Sequence, residues 1–374
     1  MRATKVIIDL DRFRGNIRAV RDRIGPGPFI CVPVKADAYG HGAVRIAGAA
    51  LSAGVRYLAV ATVREGAELR DAGITAPILL LSIPLPEEIP DLVSRELIPL
   101  VGDRDFASGA ALAAERAGKR LPVHLKIDTG MGRVGCRPEE AAGLAAHVAG
   151  LKSLEYAGTA THLASADSTG EEDARYTREQ LERFTGAVAA IRKAGFDPGI
   201  VHAANTGAVA FRPEACFDMV RPGILLYGYP PAGALLPAAP VMKMVTRVVF
   251  MKKVRKGETV SYGRTWTAPK DTVVATLPVG YGDGLPRGLS GNHSVLIRGR
   301  LYPLVGRICM DQCMADLGPA PDIDRWEEVA VFGGGAPSAA DIARKLNTIP
   351  YEITCNINKR VPRVYPVDGS PVFP

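Results

Sequence analysis

The sequence predicts an α/β protein, with an N-terminal (β/α)8 TIM-type barrel over residues 1–235 and a C-terminal mostly-β domain over residues 236–374. Three observations carry that expectation. Eight apolar runs of strand length occur in the first part of the chain: "FICVPVKA", "YLAVAT", "ILLLS", "LIPLVG", "VHLKIDT", "LEYAGTATH", "IVHAAN" and "CFDMVRPG". Stretches rich in Ala, Glu and Arg, such as "GAVRIAGAALSAG" and "FASGAALAAERAGKR", lie between them with helical periodicity. At "YPPAGALLPAAP", Tyr229 to Pro240, Pro and Ala replace the periodic pattern, and short strands with turns follow.

Taken in order, the opening strand over residues 4–10 precedes the barrel and is free to pair with the β domain. A helix follows, then the eight runs. Strands apolar on both faces and separated by helices imply a parallel sheet with its outer face covered. Eight such units is the number that closes a barrel. A doubly wound open sheet is the alternative, but its GxGxxG phosphate fingerprint does not follow the first strand. In the second part, "MVTRVVFMKKV", "GETVSYG", "TVVATLPV", "HSVLIRG" and "EEVAVFG" read as the strands of an all-β module.

The bulk properties exclude several function classes. Hydrophobic residues make up 47% and charged residues 23% of the 374, an ordinary globular balance. The net charge of +7 is spread among acids, with no basic tail and no aromatic–basic interleaving. Nucleic acid is therefore not expected as a partner, whereas an anionic small molecule suits the mild excess. No run is long enough to span a bilayer, and "MRATKVIIDLDRF" contains no segment of signal-peptide type, so a cytoplasmic protein is expected. Cys31, Cys136, Cys216, Cys309, Cys313 and Cys355 form no CxxC pair and no zinc spacing. Most lie in apolar runs and read as buried small residues, with neither disulfide nor metal expected.

In a barrel the chemistry collects at the C-terminal ends of the strands. Those ends carry Lys35 with Tyr39, Leu81 with Ser82, Lys126 with Arg133, His162, Asn205 with Thr206, and Arg221 with Gly223. Any one of these alone is a capping or solvated polar residue; all of them at one mouth point to a binding site. "RPGIL" and "NTGAV" both offer backbone N–H groups to an anion, although "NTG" by itself is a plain helix N-cap. A phosphate site late in the barrel, with a lysine closing the first barrel strand, suits pyridoxal 5'-phosphate.

The stretch "VPVKADAYGHG" resembles the cofactor-lysine motif of the alanine racemases, fold-type III pyridoxal phosphate enzymes. "HLKIDTGMGRVG", "ATHLASAD", "VRPGILLYG", "VSYGRTW", "VGYGDGLPR", "GRICMDQ" and "TIPYEITCNINKRVPRVY" resemble the same family, collinearly from Asp9 to Tyr365. The resemblance implies that Lys35 is the Schiff-base lysine and the base on one face of the substrate. It implies that Tyr262 is the base on the other face, supplied by a second subunit of a homodimer with composite sites. It implies Arg221 at the pyridine nitrogen, supported by His162. Tyr39, Tyr351, Asn205, Thr206, Gly223 and Ile224 are then expected around the phosphate. The resemblance further implies that Arg133 orders the phenolic oxygen and the substrate carboxylate, that Met310 donates its backbone N–H to that carboxylate beside Asp311, and that Tyr281 lines the entrance. Lys126 matches a lysine often carbamylated in the family. One departure is that Thr206 stands where many relatives have serine, which keeps the hydroxyl.

The expected reaction is the interconversion of L- and D-alanine for peptidoglycan. Racemisation removes a proton from one face and returns it on the other, so two acid–base groups must flank the reacting carbon. A sister racemase of broader or serine-directed specificity and a non-catalytic pyridoxal phosphate carrier are the alternatives. Carriers resemble the barrel alone, so the β module with Tyr262 and "GRICMDQ" argues against the second.

Overall fold

The computed structural model describes residues 2–367 and 370–372. They fall into two compact units, one made of Phe13–Ala38 and Ala43–Ala238, the other of residues 2–12, 39–42 and the described residues from 239 onward. The first strand, β1 (Lys5–Ile8), belongs to the second unit.

The first unit is the barrel. Its strands are β2 (Phe29–Pro33), β3 (Tyr57–Val60), β4 (Ile78–Leu80), β5 (Ile98–Val101), β6 (Leu121–Lys126), β7 (Leu154–Ala160), β8 (Ile200–His202) and β9 (Met219–Val220). Seven of the eight apolar runs contain one of them whole, and β6 begins two residues before its run. All pair in parallel, in the order β8-β7-β6-β5-β4-β3-β2-β9, so the ring is closed except between β8 and β9. Cys31, Ala59, Leu79, Ile98, Leu100, Ala160 and Met219 form one buried cluster drawn from six strands, which only the inside of such a ring can bring together. Helices cover the outside, and local sequence signals set where they begin. Thr62 and Glu65 form a capping box ahead of Val63–Asp71, and Asp103 caps Arg104–Arg116. The helix Glu171–Lys193 opens on Glu171, Glu172 and Asp173 and closes on Arg192 and Lys193, matching the helix dipole at both ends.

The second unit is mostly β. After β10 (Met242–Arg247) come β11 (Phe250–Val254), β12 (Thr259–Val260), β13 (Trp266–Thr267), β14 (Thr272–Leu277), β15 (Ser294–Ile297), β16 (Arg300–Val305), β17 (Cys313–Gly318), β18 (Glu328–Phe332), β19 (Arg363–Val367) and β20 (Ser370–Val372). Apart from the small β12–β13 hairpin they join β1 in one ten-stranded sheet, ordered β11-β14-β17-β16-β15-β18-β10-β1-β19-β20. The opening strand is therefore an interior strand of this sheet, antiparallel to β10 and parallel to β19.

Several elements here differ from the sequence expectation. "MVTRVVFMKKV" is two strands, because Val248 N–H bonds to Glu327 O while Val249 N–H turns to Thr276 O. Strands β16, β17 and β19, and the helices Ala339–Leu346 and Pro350–Cys355, were not expected. Among the described residues no helix is long and apolar enough to cross a membrane, and no group of three or more His, Cys, Asp or Glu could hold a metal ion.

Candidate active site

Lys35 follows the end of β2 and is half-buried. The four residues after it, Ala36, Asp37, Ala38 and Tyr39, have φ of 51°, 53°, 52° and 54°. This is a left-handed turn built without glycine, at about 1–2 kcal/mol per residue. Local bonds hold it in place. Glu65 Oε1 accepts the Ala36 N–H at 2.7 Å, Asp37 Oδ1 accepts the Ala43 N–H at 2.8 Å, and Val34 O accepts the Ala38 N–H at 2.8 Å. The other oxygen of Glu65 accepts the Ala61 N–H at 2.8 Å, so one carboxylate ties the lysine segment to the end of β3. Strained backbone kept at a strand end by such bonds is a mark of functional positions.

Inside the barrel, Arg221 is buried and held through both terminal nitrogens. It donates to Thr161 O at 2.8 Å, to Ala203 O at 3.2 Å, to His162 Nδ1 at 3.4 Å and to His202 Nδ1. A guanidinium has no acceptor, so His202 must present a lone pair on Nδ1 and carry its proton on Nε2. That proton faces His124 Nδ1, 2.8 Å away. Gly158 of β7 leaves room for this ring: a Cβ there would lie 2.6 Å from His124. Burial, then Arg221, hold His124 down at about 3, and burial with the same arginine keeps His202 well below the ordinary range, so both rings are neutral.

The cations converge on His162. Its pKa falls to about 2, first through burial and then through Arg221, Lys126, Arg133 and Lys35. Lys126 is buried, with Nζ donating to Ile127 O at 3.1 Å. Desolvation, then Arg221 and Arg133, lower it to about 7, against the opposing pull of Asp128 and Cys136. Partial burial works to raise the Asp128 carboxyl, but the N–H groups of Gly130, Gly132 and Arg133 outweigh it and hold it below the usual range. Arg133 itself is exposed.

At the late strands, Asn205 Oδ1 accepts the Ala208 N–H at 3.0 Å and caps Thr206–Phe211. Thr206 Oγ1 accepts the Gly223 N–H at 2.8 Å, and Ile224 opens the turn that follows. The structure thus gathers Lys35, Lys126, Arg133, His162 and Arg221 in one group, with Asn205, Thr206, Gly223 and Ile224 beside one another at the ends of β8 and β9.

The remaining residues lie in the second unit. The rings of Tyr39 and Tyr351 stand 5.6 Å apart. Tyr262 is 71% exposed and flanked by Ser261, Gly263 and Arg264 at φ of 70°, 68° and 49°, a backbone that holds the phenol out of the fold. Tyr281 and Met310 are also exposed and meet through their loops, Tyr281 N–H donating to Cys309 O at 3.1 Å and Gly282 N–H to Met310 O at 2.9 Å. Glu65, His124, Thr161 and His202 belong to the site's surroundings, but none of the sequence features above assigns them a role. The period-2 alternation of a strand could have found His124, which shares a face with Lys126 two residues on; nothing local points to Thr161, which acts through its carbonyl.

Comparison with known proteins adds the family. The model described as "Alanine racemase, N-terminal domain" matches residues 8–231, and "Alanine racemase, C-terminal domain" matches residues 241–365. An alanine racemase of Treponema denticola is 52% identical over 374 residues, covering 98% of each chain, and one of Desulfovibrio desulfuricans is 44% identical, covering 96% of each. Among solved structures, alanine racemase of Clostridium difficile superposes with a TM-score of 0.95 at 37% identity, covering 100% of this chain and 98% of the other. That of Bacillus anthracis with bound L-Ala-P gives 0.92 at 34%, covering 100% and 97%.

Proposed function

The chain belongs to the alanine racemase family and interconverts L- and D-alanine, and we propose that it does so as a homodimer with pyridoxal 5'-phosphate, using Lys35 and Tyr262 of the partner subunit as the two bases. The observation that carries this reading is that Lys35, Lys126 and Arg221 stand at the C-terminal ends of β2, β6 and β9 in one parallel ring, with the Thr206–Gly223 pair beside Arg221. Arg221, Arg133 and Lys35 at the C-terminal end of a barrel suit a phosphorylated cofactor and a substrate carboxylate, so the donor set fits.

Bound there, the cofactor supplies the electron sink that acidifies the substrate's α-proton. The other functions fall to this chain's own residues. Lys35 holds the cofactor through its amine and moves the proton on one face, and Tyr262 of the partner subunit moves it on the other. Arg221 faces the ring nitrogen and has no proton to yield, so it keeps that nitrogen unprotonated. Its three other anchors and His162, neutral at any working pH, fix where the guanidinium points. Tyr39, Tyr351, Asn205, Thr206, Gly223 and Ile224 hold the phosphate. Arg133 orders the phenolic oxygen and the substrate carboxylate. Lys126, with a pKa of about 7, has the neutral amine that carbamylation needs, and the resulting anion orients Arg133. Tyr281 lines the entrance, and the backbone N–H of Met310 donates to the carboxylate. In this reading residues 1–235 carry the cofactor and 236–374 carry Tyr262, and the protein acts in a bacterial cytoplasm, supplying D-alanine for peptidoglycan.

A panel of L-amino acids tests the activity, followed by borohydride reduction and peptide mass analysis. The optical signal of L-alanine should decay to zero, and reduction should leave the cofactor's mass on the peptide containing Lys35. Faster loss of the L-serine signal would overturn the alanine specificity, and the added mass on another lysine would overturn the assignment of Lys35.

A further inference from the structure

The two peptide planes flanking Met310 are both pinned by the turn Tyr281–Asp283. Cys309 C=O accepts the Tyr281 N–H at 3.1 Å, and Met310 C=O accepts the Gly282 N–H at 2.9 Å. In a trans peptide the N–H points opposite to the C=O. The Met310 N–H therefore faces away from that turn, and it makes no hydrogen bond to any described residue. Close approach keeps the loops in register: a Cβ on Gly280 would lie 2.2 Å from Cys309 O, and one on Gly282 would lie 2.5 Å from the Arg360 guanidinium.

Arg360 joins the two loops. Its Nε donates to Asp283 Oδ1 at 2.7 Å, and a terminal nitrogen donates to Asp311 Oδ1 at 2.7 Å and sits 3.5 Å from Met310 O. Asp283 is buried at 0% exposure, and its other oxygen accepts the Gly280 N–H at 3.0 Å. Asn358 completes the frame, with its N–H on Asp283 O at 3.2 Å and its side chain accepting the Arg360 N–H at 2.9 Å. A solvent-exposed pair such as Arg360 with Asp311 contributes little when both partners are free. Here the buried Asp283 has already fixed the guanidinium, so its second bond sets the position of Asp311 and hence of the peptide before it.

We propose that Arg360 is a positioning residue for the substrate: held by Asp283, it locks the Cys309–Asp311 loop so that the Met310 N–H is aimed at the carboxylate. The proposal rests on the reading of Met310 as the carboxylate donor. Arg2 also reaches Asp283 Oδ1, at 2.5 Å. Removing Arg360 therefore leaves that buried carboxylate paired and the fold intact.

The test compares the parent holoenzyme with Arg360→Gln and, at a 60% exposed side chain that folding does not need, with Asp311→Asn. The probe is propionate, which has the carboxylate and no amine, measured as an inhibitor competitive with alanine. In Arg360→Gln the inhibition constant for propionate and KM for alanine should both rise about tenfold, with kcat and cofactor absorbance little changed. Asp311→Asn should move both constants the same way by less, and the double variant should be no worse than Arg360→Gln, because one bond links the two side chains. Propionate bound equally tightly by parent and variants would overturn the clamp alone, as would loss of cofactor affinity in step with KM. Propionate that fails to compete in the parent enzyme would overturn the Met310 reading and the proposal with it.

Discussion

Lys126 shows how a single environment rewrites the chemistry of a side chain. Its amine is desolvated and faces two arginines, so the pKa drops from the ordinary 10.5 to about 7. The unfolded chain therefore binds the proton more tightly between those values. Stability then rises with pH from about 7 to about 10.5, and unmodified Lys126 detracts from stability at and below neutrality. Capture of carbon dioxide converts that liability into an anion among cations. With 13C-bicarbonate, a carbamate resonance should grow in as pH is raised through about 7 and should be absent in Lys126→Met. In carbon-dioxide-free buffer at pH 7, Lys126→Met should melt higher than the parent. A labelled signal that survives the substitution, or a lower melting temperature, would contradict this account of the residue.

At the scale of elements, the turn after Lys35 stores strain that the surrounding bonds must hold. Ala36 is exposed and sits at φ 51°, so glycine relieves the clash without opening a cavity. After the entropy of glycine is subtracted, Ala36→Gly should gain about 0.5–1 kcal/mol, read as a melting temperature a degree or two higher. The same change loosens the arm that carries Lys35, so kcat should fall while stability rises. A variant with no gain in melting temperature would show that the turn is not strained. Nothing in "KADAY" announces this conformation: alanine and tyrosine avoid positive φ, and the cause is the distant Glu65, brought in by β3 and its helix. The barrel strands were legible because burial on both faces makes each a continuous apolar run. Strand β17 was not, since "CMADLG" carries Asp316 on its open face, where the Gly318 N–H and the Thr272 hydroxyl satisfy it. The polar strand ends could likewise be read from the barrel pattern, whereas the roles of His202 and Asp283 depend on partners many residues away in sequence.

At the scale of the whole molecule, the bases proposed for the two faces belong to different compact units, Lys35 to the barrel and Tyr262 to the β unit. The exposed phenol, presented by three residues at positive φ, is the surface feature expected of a group that works in a neighbouring subunit. Each base serves one enantiomer, so losing one should leave proton exchange from the other enantiomer intact. The most direct measurement mixes two inactive parents, Tyr262→Phe and Lys35→Ala, under conditions of demonstrated subunit exchange. A mixed dimer then has one site with both defects and one with neither. Racemase activity should reappear on mixing, approaching a quarter of the parent enzyme's when the chains are equal in amount and pair at random, since half of all dimers are mixed and each has one intact site. Activity that stays at the level of the inactive parents despite exchange would place Tyr262 in its own chain's site and contradict the composite arrangement.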